Sequence, residues 1–253
     1  MTKLELSYGE ERIPVLVTRS KRKSLALSVG TDGEVNVKAP QFLSDAELLK
    51  WVKTKMAWIV RKRNEMLSST SSDSAKKNFV TGERYLFLGE EYTLEVRKSD
   101  ARAGRVGFID EKLVVFVSEA EFALQESGMD GEVQYQQAVK RYLSRFYEKE
   151  AHVFIPKRVR HYSHLLGESF GRIAIKDQKS RWGSCSSARN LNFNKRLMMA
   201  PIEVLDYVVV HELCHLKQMN HSEKFWSEVE KILPDYKERK KWLDENGKRL
   251  KLD

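Results

Sequence analysis

Residues 211 to 215 read His-Glu-Leu-Cys-His, and a third histidine, His221, follows six residues after the second. On an α-helix, residues four apart lie about 40° apart around the axis and one turn above each other. His211 and His215 therefore point the same way and can present imidazole nitrogens to one metal ion. Glu212 sits beside them and reaches towards the ion's open position rather than the ion itself. Two imidazoles and a carboxylate in this arrangement are the parts of a zinc site that activates water.

His221 can join them only if the helix stops after His215. Continued as helix, it would stand about 120° from His215 and about 9 Å further along. Asn220 is the residue best suited to a left-handed turn there, and Asn220 or Ser222 can cap a following helix. Glu228 is the alternative third ligand. Three-histidine zinc proteases of the metzincin kind share the spacing but carry glycine where this chain has Gln218. No methionine follows Met219 to form a Met-turn.

The elements around the histidines must hold them. Pro201 suits the first position of a helix. Ile202, Leu205, Val209, Leu213 and Leu216 fall within an arc of about 80°, a core-facing stripe. The histidines lie about 140° from its centre and share their side with Val204 and Val208, so they look into a partly apolar cleft. Before this helix, Arg172 to Lys176 reads as a strand, and Arg181–Ser186 with Leu191–Leu197 reads as a hairpin. The hairpin leads straight into the metal helix, so its edge is expected beside the metal. Such an edge can take an extended peptide by strand addition. Arg181, Trp182 and Asn194 are equally readable as substrate contacts or as structural residues. Cys185 and Cys214 read as small buried hydrophobes. His152, His161 and His164 read as ordinary histidines, not a second metal site.

These stretches also resemble a known family. Ser180-Arg181-Trp182-Gly183-Ser184-Cys185-Ser186, Leu191-Asn192-Phe193-Asn194, Ala200-Pro201, Asp206 to His215 and Asn220-His221-Ser222-x-x-Phe225-Trp226 occur in that order. The set is similar to the YgjP-like metallopeptidases, relatives of the SprT-like zinc proteases. Arg19-Ser20-Lys21-Arg22 and Gly89 extend the resemblance more loosely to the N-terminal part. The resemblance implies zinc ligation by His211, His215 and His221, with Glu212 as the catalytic base.

The remainder of the chain sets the architecture. Short β-branched or apolar stretches, Ile13–Thr18, Leu25–Val29 and Glu34–Lys38, read as strands around a turn at Thr31-Asp32-Gly33. Ser44 and Glu47 form a capping box that opens one long helix over about 45–66. Ser68 to Ser74 reads as a flexible connector. Strands resume at Phe79–Thr81, Tyr85–Leu88 and Tyr92–Arg97, followed by a hairpin around Asp110-Glu111. A helix begins near Gly131, and Pro156 is expected to break or kink it. Beyond His221 come a short amphipathic helix, closed by Pro234, and a charged helix over Asp235–Asn246. The expected class is α+β. A β-rich N-terminal part over 1–130 precedes a zincin-like catalytic part over 131–253, the two forming one unit.

Lys and Arg exceed Asp and Glu by 45 − 36 = 9 in 253 residues. That charge favours an anionic ligand, nucleotide or nucleic acid, as strongly as it favours a merely solvated surface. The Arg19–Lys23 cluster reads first as a solvated loop and second as a phosphate contact. Two cysteines make no disulfide framework. Neither a signal peptide nor a membrane span is legible, so cytoplasmic localisation is expected. Three functions are consistent with these features. The first is a zinc metallopeptidase acting on peptide or protein, in which Glu212 takes a proton from zinc-activated water. The second is a metal-dependent phosphohydrolase acting on nucleotides. The third is a non-catalytic, DNA-associated module with structural zinc, against which Glu212 argues.

Overall fold

The computed structural model describes residues 2–8, 11–30, 33–68, 77–99 and 104–252. The chain is mixed α+β and divides into two compact units, Met1–Ala75 and Lys76–Asp253.

In the first unit, strands β1 (Thr2–Tyr8), β2 (Glu11–Ser20), β3 (Ala26–Val29) and β4 (Val35–Pro40) form a sheet in the order β1-β2-β4-β3. The β2–β4 pair is parallel and the others are antiparallel. Strand alternation turns Ile13, Val15, Val17, Val35, Val37 and Ala39 to one face. There they bury against Leu48, Val52, Met56 and Ile59. The Ser44–Glu47 capping box is present and opens α1 (Asp45–Lys53). The single helix expected over 45–66 is instead two, with α2 spanning Met56–Ser68. At the joint, the Thr54 and Lys55 amides bond to carbonyls three residues back, and the Thr54 hydroxyl donates to the Trp51 carbonyl at 2.7 Å. A short polar side chain competing for the backbone tightens the last turn and interrupts the ladder. Arg19 is a structural tie here: its guanidinium donates to the Pro40 and Leu43 carbonyls and pairs with Asp45. The turn residues Thr31 and Asp32, and 69–74 of the serine-rich stretch, lie outside the described residues.

The second unit holds two sheets. Strands β5 (Arg84–Phe87), β6 (Glu90–Lys98), β7 (Val106–Ile109) and β8 (Lys112–Val117) run in the order β5-β6-β8-β7. The β7–β8 hairpin turns at Asp110-Glu111, both at positive φ. Short helix α3 (Glu119–Ala123), which the sequence did not suggest, leads to α4 (Gly128–Leu166). Contrary to expectation, α4 runs unbroken through Pro156. Pro156 removes the hydrogen bond to the carbonyl of His152, but His152 is exposed and water can serve that carbonyl. The apolar face, meanwhile, runs from Ala151 and Ile155 past the proline to Val159, Tyr162 and Leu166.

The second sheet has the order β10-β11-β9, from β9 (Ile173–Lys176), β10 (Gly183–Cys185) and β11 (Leu191–Asn194). The β10–β11 hairpin is shorter than expected. A 3-10 turn, Lys195–Met199, joins it to α5 (Ile202–Cys214), followed by α6 (Glu223–Ile232) and α7 (Tyr236–Asn246). Every residue of α5 from Val204 to Val210 is buried. Burial on all sides marks a core element, so α5 is more deeply enclosed than a one-sided stripe requires.

Candidate metal centre

Helix α5 ends at Cys214 and His215 is its C-cap, with the Lys217 and Gln218 amides folding back onto the Cys214 carbonyl. That stop returns the chain. Asn220 does not take positive φ; its side chain accepts from the Ser222 amide at 3.3 Å and turns the chain into α6. His221 thereby comes back over the helix end.

The three rings meet. Ring centroids are 5.0 Å apart for His211–His215, 4.9 Å for His211–His221 and 4.8 Å for His215–His221. One nitrogen from each lies within 4.8 Å of the others, the only such group of three or more metal-capable side chains among the described residues. Phe225, fully buried on α6, backs all three rings at 4.6 to 4.9 Å. Nδ1 of His215 lies 3.0 Å from the Gln218 carbonyl oxygen. Only a protonated Nδ1 can bond there, which leaves the Nε2 lone pair free.

Electrostatics favours the ligand form. Burial, and then repulsion from His215, His221 and Lys240, holds the His211 imidazole down at about 3. Burial likewise lowers His215. Both are neutral at pH 7. Nε2 of His211 and Nε2 of His221 face each other at 3.0 Å. At that distance one ring can donate to the other, or both can turn a lone pair to one cation; the three converging nitrogens fit a divalent cation of the zinc class.

Glu212 is 6% exposed, and burial alone pushes its carboxyl up to about 8. Gly183 of β10 lies directly against it. A Cβ on Gly183 would fall 2.6 Å from the Glu212 Cγ and Oε1 atoms and 2.8 Å from Cδ. A glycine inside a strand marks such a close approach, and that was the available signal for this residue. Glu228 is not part of the cluster: Lys217 at 3.1 Å and Lys231 at 2.5 Å take its carboxylate. Cys214 is buried and its thiol is pushed up to about 12, which makes it inert. Arg181 is exposed, Trp182 is half-buried, and Asn194 is buried.

Sequence reasoning also missed Trp226. Its ring stacks on His221 (5.7 Å, 28°) and on Tyr236 (5.3 Å, 15°). Of the three histidines His221 is the exposed one, and this stack supports its ring together with Phe225. Trp226→Ala should weaken metal binding about tenfold, the low end of the effect of losing a group that orients a ligand. Competition with a chromophoric chelator measures it, and an unchanged dissociation constant would remove Trp226 from that role.

A family model described as YgjP-like, metallopeptidase domain, matches residues 23–246. The chain is similar to two solved structures of metallopeptidase zymogens. Abylysin of Pyrococcus abyssi is 26% identical over 36% of this chain and 93% of its own, with a TM-score of 0.34. Jannalysin of Methanocaldococcus jannaschii is 28% identical over the same shares, with a TM-score of 0.32. No curated protein matches the chain.

Proposed function

The chain belongs to the YgjP-like metallopeptidase family, and from that premise we propose a zinc-dependent peptidase with a zincin-like core. His211, His215 and His221 hold the metal, and Glu212 is the general base. The observation that carries this reading is the convergence of three imidazole nitrogens, two of them from neutral rings, beside a buried carboxyl.

Zinc bound there supplies Lewis acidity, lowering the pKa of water to about 7 and polarising a carbonyl. The protein supplies the remainder. The His215 Nδ1–carbonyl bond and the Trp226 stack aim two rings. Beside a bound cation the Glu212 carboxyl would be held as carboxylate, able to accept a proton and to pass it to a leaving amine. Strand β10 is an edge of its sheet. An extended peptide adding to that edge would run past Glu212, because Gly183 touches both. The substrate class is peptide or protein.

Of the Arg19–Lys23 cluster, Arg19 is occupied with Pro40, Leu43 and Asp45, so the nucleotide reading rests on the net charge and the remaining cluster residues. No helix among the described residues is long and apolar enough to cross a membrane, and cytoplasmic localisation is part of the same proposal. The test is hydrolysis of a peptide library and of nucleoside triphosphates by zinc-loaded and by chelator-stripped protein. Peptide cleavage that appears only with zinc is the expected result. Cleavage of triphosphates alone would overturn the peptidase reading.

A further inference from the structure

Asn194 closes β11 at 2% exposure and spends every polar group it has. Its Nδ2 donates to the Gln178 carbonyl at 2.6 Å and to the Arg181 carbonyl at 2.9 Å. Its Oδ1 accepts from the Arg196 amide at 3.1 Å, capping the 3-10 turn. Its own amide donates to the Trp182 carbonyl at 2.8 Å. Three of these four bonds end on carbonyls of segment 178–182, which has no helix or strand of its own. The amide side chain is thus the clamp that fastens an irregular segment to β11.

The residue after that segment is Gly183. It pairs with Phe193 in the β10–β11 ladder, and its Cα side is in contact with the Glu212 carboxyl. No hydrogen bond from a described residue holds that carboxyl, and burial is the sole cause of its raised pKa. Its position therefore depends on the walls it rests against. Gly183 is one of them, and the clamp on its N-terminal flank is Asn194.

We propose that Asn194 is a positioning residue for Glu212: by clamping segment 178–182 it sets Gly183 against the carboxyl and fixes where the base stands, without touching the histidines. The inference rests on the reading of Glu212 as the base. It explains why an asparagine is needed at the end of a buried strand, because only an amide donates twice and accepts once from one side chain.

The test uses the full zinc-loaded chain and acetohydroxamic acid as probe. A hydroxamate gives up a proton on binding a metal, and a carboxylate standing beside the metal can accept it. Asn194→Ser keeps a capping oxygen for the 3-10 turn and loses both clamping bonds. Gly183→Ala leaves the clamp intact and drives a methyl into Glu212. Each should weaken acetohydroxamate binding about tenfold with zinc affinity unchanged, the size expected when a supporting group of a metal site is lost. In a Glu212→Gln background, Asn194→Ser should weaken it no further, because residues acting as one unit are not additive. The inference is overturned if Glu212→Gln weakens the probe but Asn194→Ser binds it like wild type, or if the double variant shows the two losses added. Should Asn194→Ser fail to fold, Gly183→Ala decides, and wild-type binding by that variant overturns the inference. If Glu212→Gln itself leaves binding unchanged, the reading of Glu212 as the base is what fails.

Discussion

Glu212→Gln should bind zinc as tightly as the wild type and lose hydrolysis by about 10²–10⁴-fold, the usual contribution of a positioned general base. The amide has the shape of the carboxyl, so Gly183 still fits against it. It cannot accept the proton. The same substitution should stabilise the metal-free protein at alkaline pH. The Glu212 carboxyl stands at about 8 when folded, against an ordinary value of 4.5, because burial penalises its charge. Between those values the folded state holds a proton that the unfolded state has lost. Stability therefore falls as pH rises from about 5 to about 8, and levels off above. Glutamine has no such limb. At about 1.4 kcal/mol per unit, the difference above pH 8 is on the order of 3–5 kcal/mol in favour of the variant. The depressed His211 acts in the opposite direction and at lower pH, and it is common to both proteins. Denaturant midpoints from pH 5 to 9 on chelator-stripped protein check the difference. Parallel curves would mean that the carboxyl is not buried as described. Activity lost and stability gained by one substitution is the signature of a group held in place at a cost for chemistry.

What could be read in the sequence was what depends on spacing along one element. His211 and His215 come together because a helix puts residues four apart on one side, and the Ser44–Glu47 capping box is equally local. His221 was legible one step further, as a residue that needed the helix to end, and the helix does end at Cys214. Contacts between elements were not legible. Phe225 and Trp226 could be assigned to an amphipathic helix, but nothing in their spacing said that they back and stack the histidine rings. Gly183 and Asn194 belong to a hairpin that was foreseen, but their partners lie on α5 and in an irregular segment. Pro156 and Thr54 were misjudged for one reason. Local propensity expects a break at the proline and none at the threonine. Packing carries α4 through Pro156, while a side-chain bond to the Trp51 carbonyl interrupts the helix at Thr54.

Arg158→Met should cost about 3 kcal/mol of stability, the largest loss expected from a change outside the metal site. Asp206 lies on α5, five residues before His211, with its side chain 7% exposed. The Arg158 guanidinium meets it in a fork, Nε to Oδ1 and Nη2 to Oδ2, both at 2.6 Å, and the Tyr162 hydroxyl donates to Oδ2 at 2.9 Å. Removing the guanidinium leaves a carboxylate inside with one neutral donor. Breaking a buried pair from one side costs about 3–5 kcal/mol; because Arg158 keeps 29% exposure, the low end applies. At about 2–4 °C per kcal/mol for a protein of this size, the unfolding midpoint should fall by roughly 6–12 °C. Adding Asp206→Asn should recover most of the loss, because the amide removes the stranded charge and still accepts from Tyr162. A fall under about 1 kcal/mol, or a double variant no better than Arg158→Met, would show that water reaches Asp206 and that the pair is a surface one. The pair also accounts for the unbroken course of α4. Arg158, Val159 and Tyr162 all follow Pro156, and all three face the buried side that includes α5 only because the helix keeps its phase across the proline. A break at Pro156 would take Arg158 away from Asp206 and strand the carboxylate. The same ion pair that anchors the histidine helix therefore favours the continuous helix over a broken one.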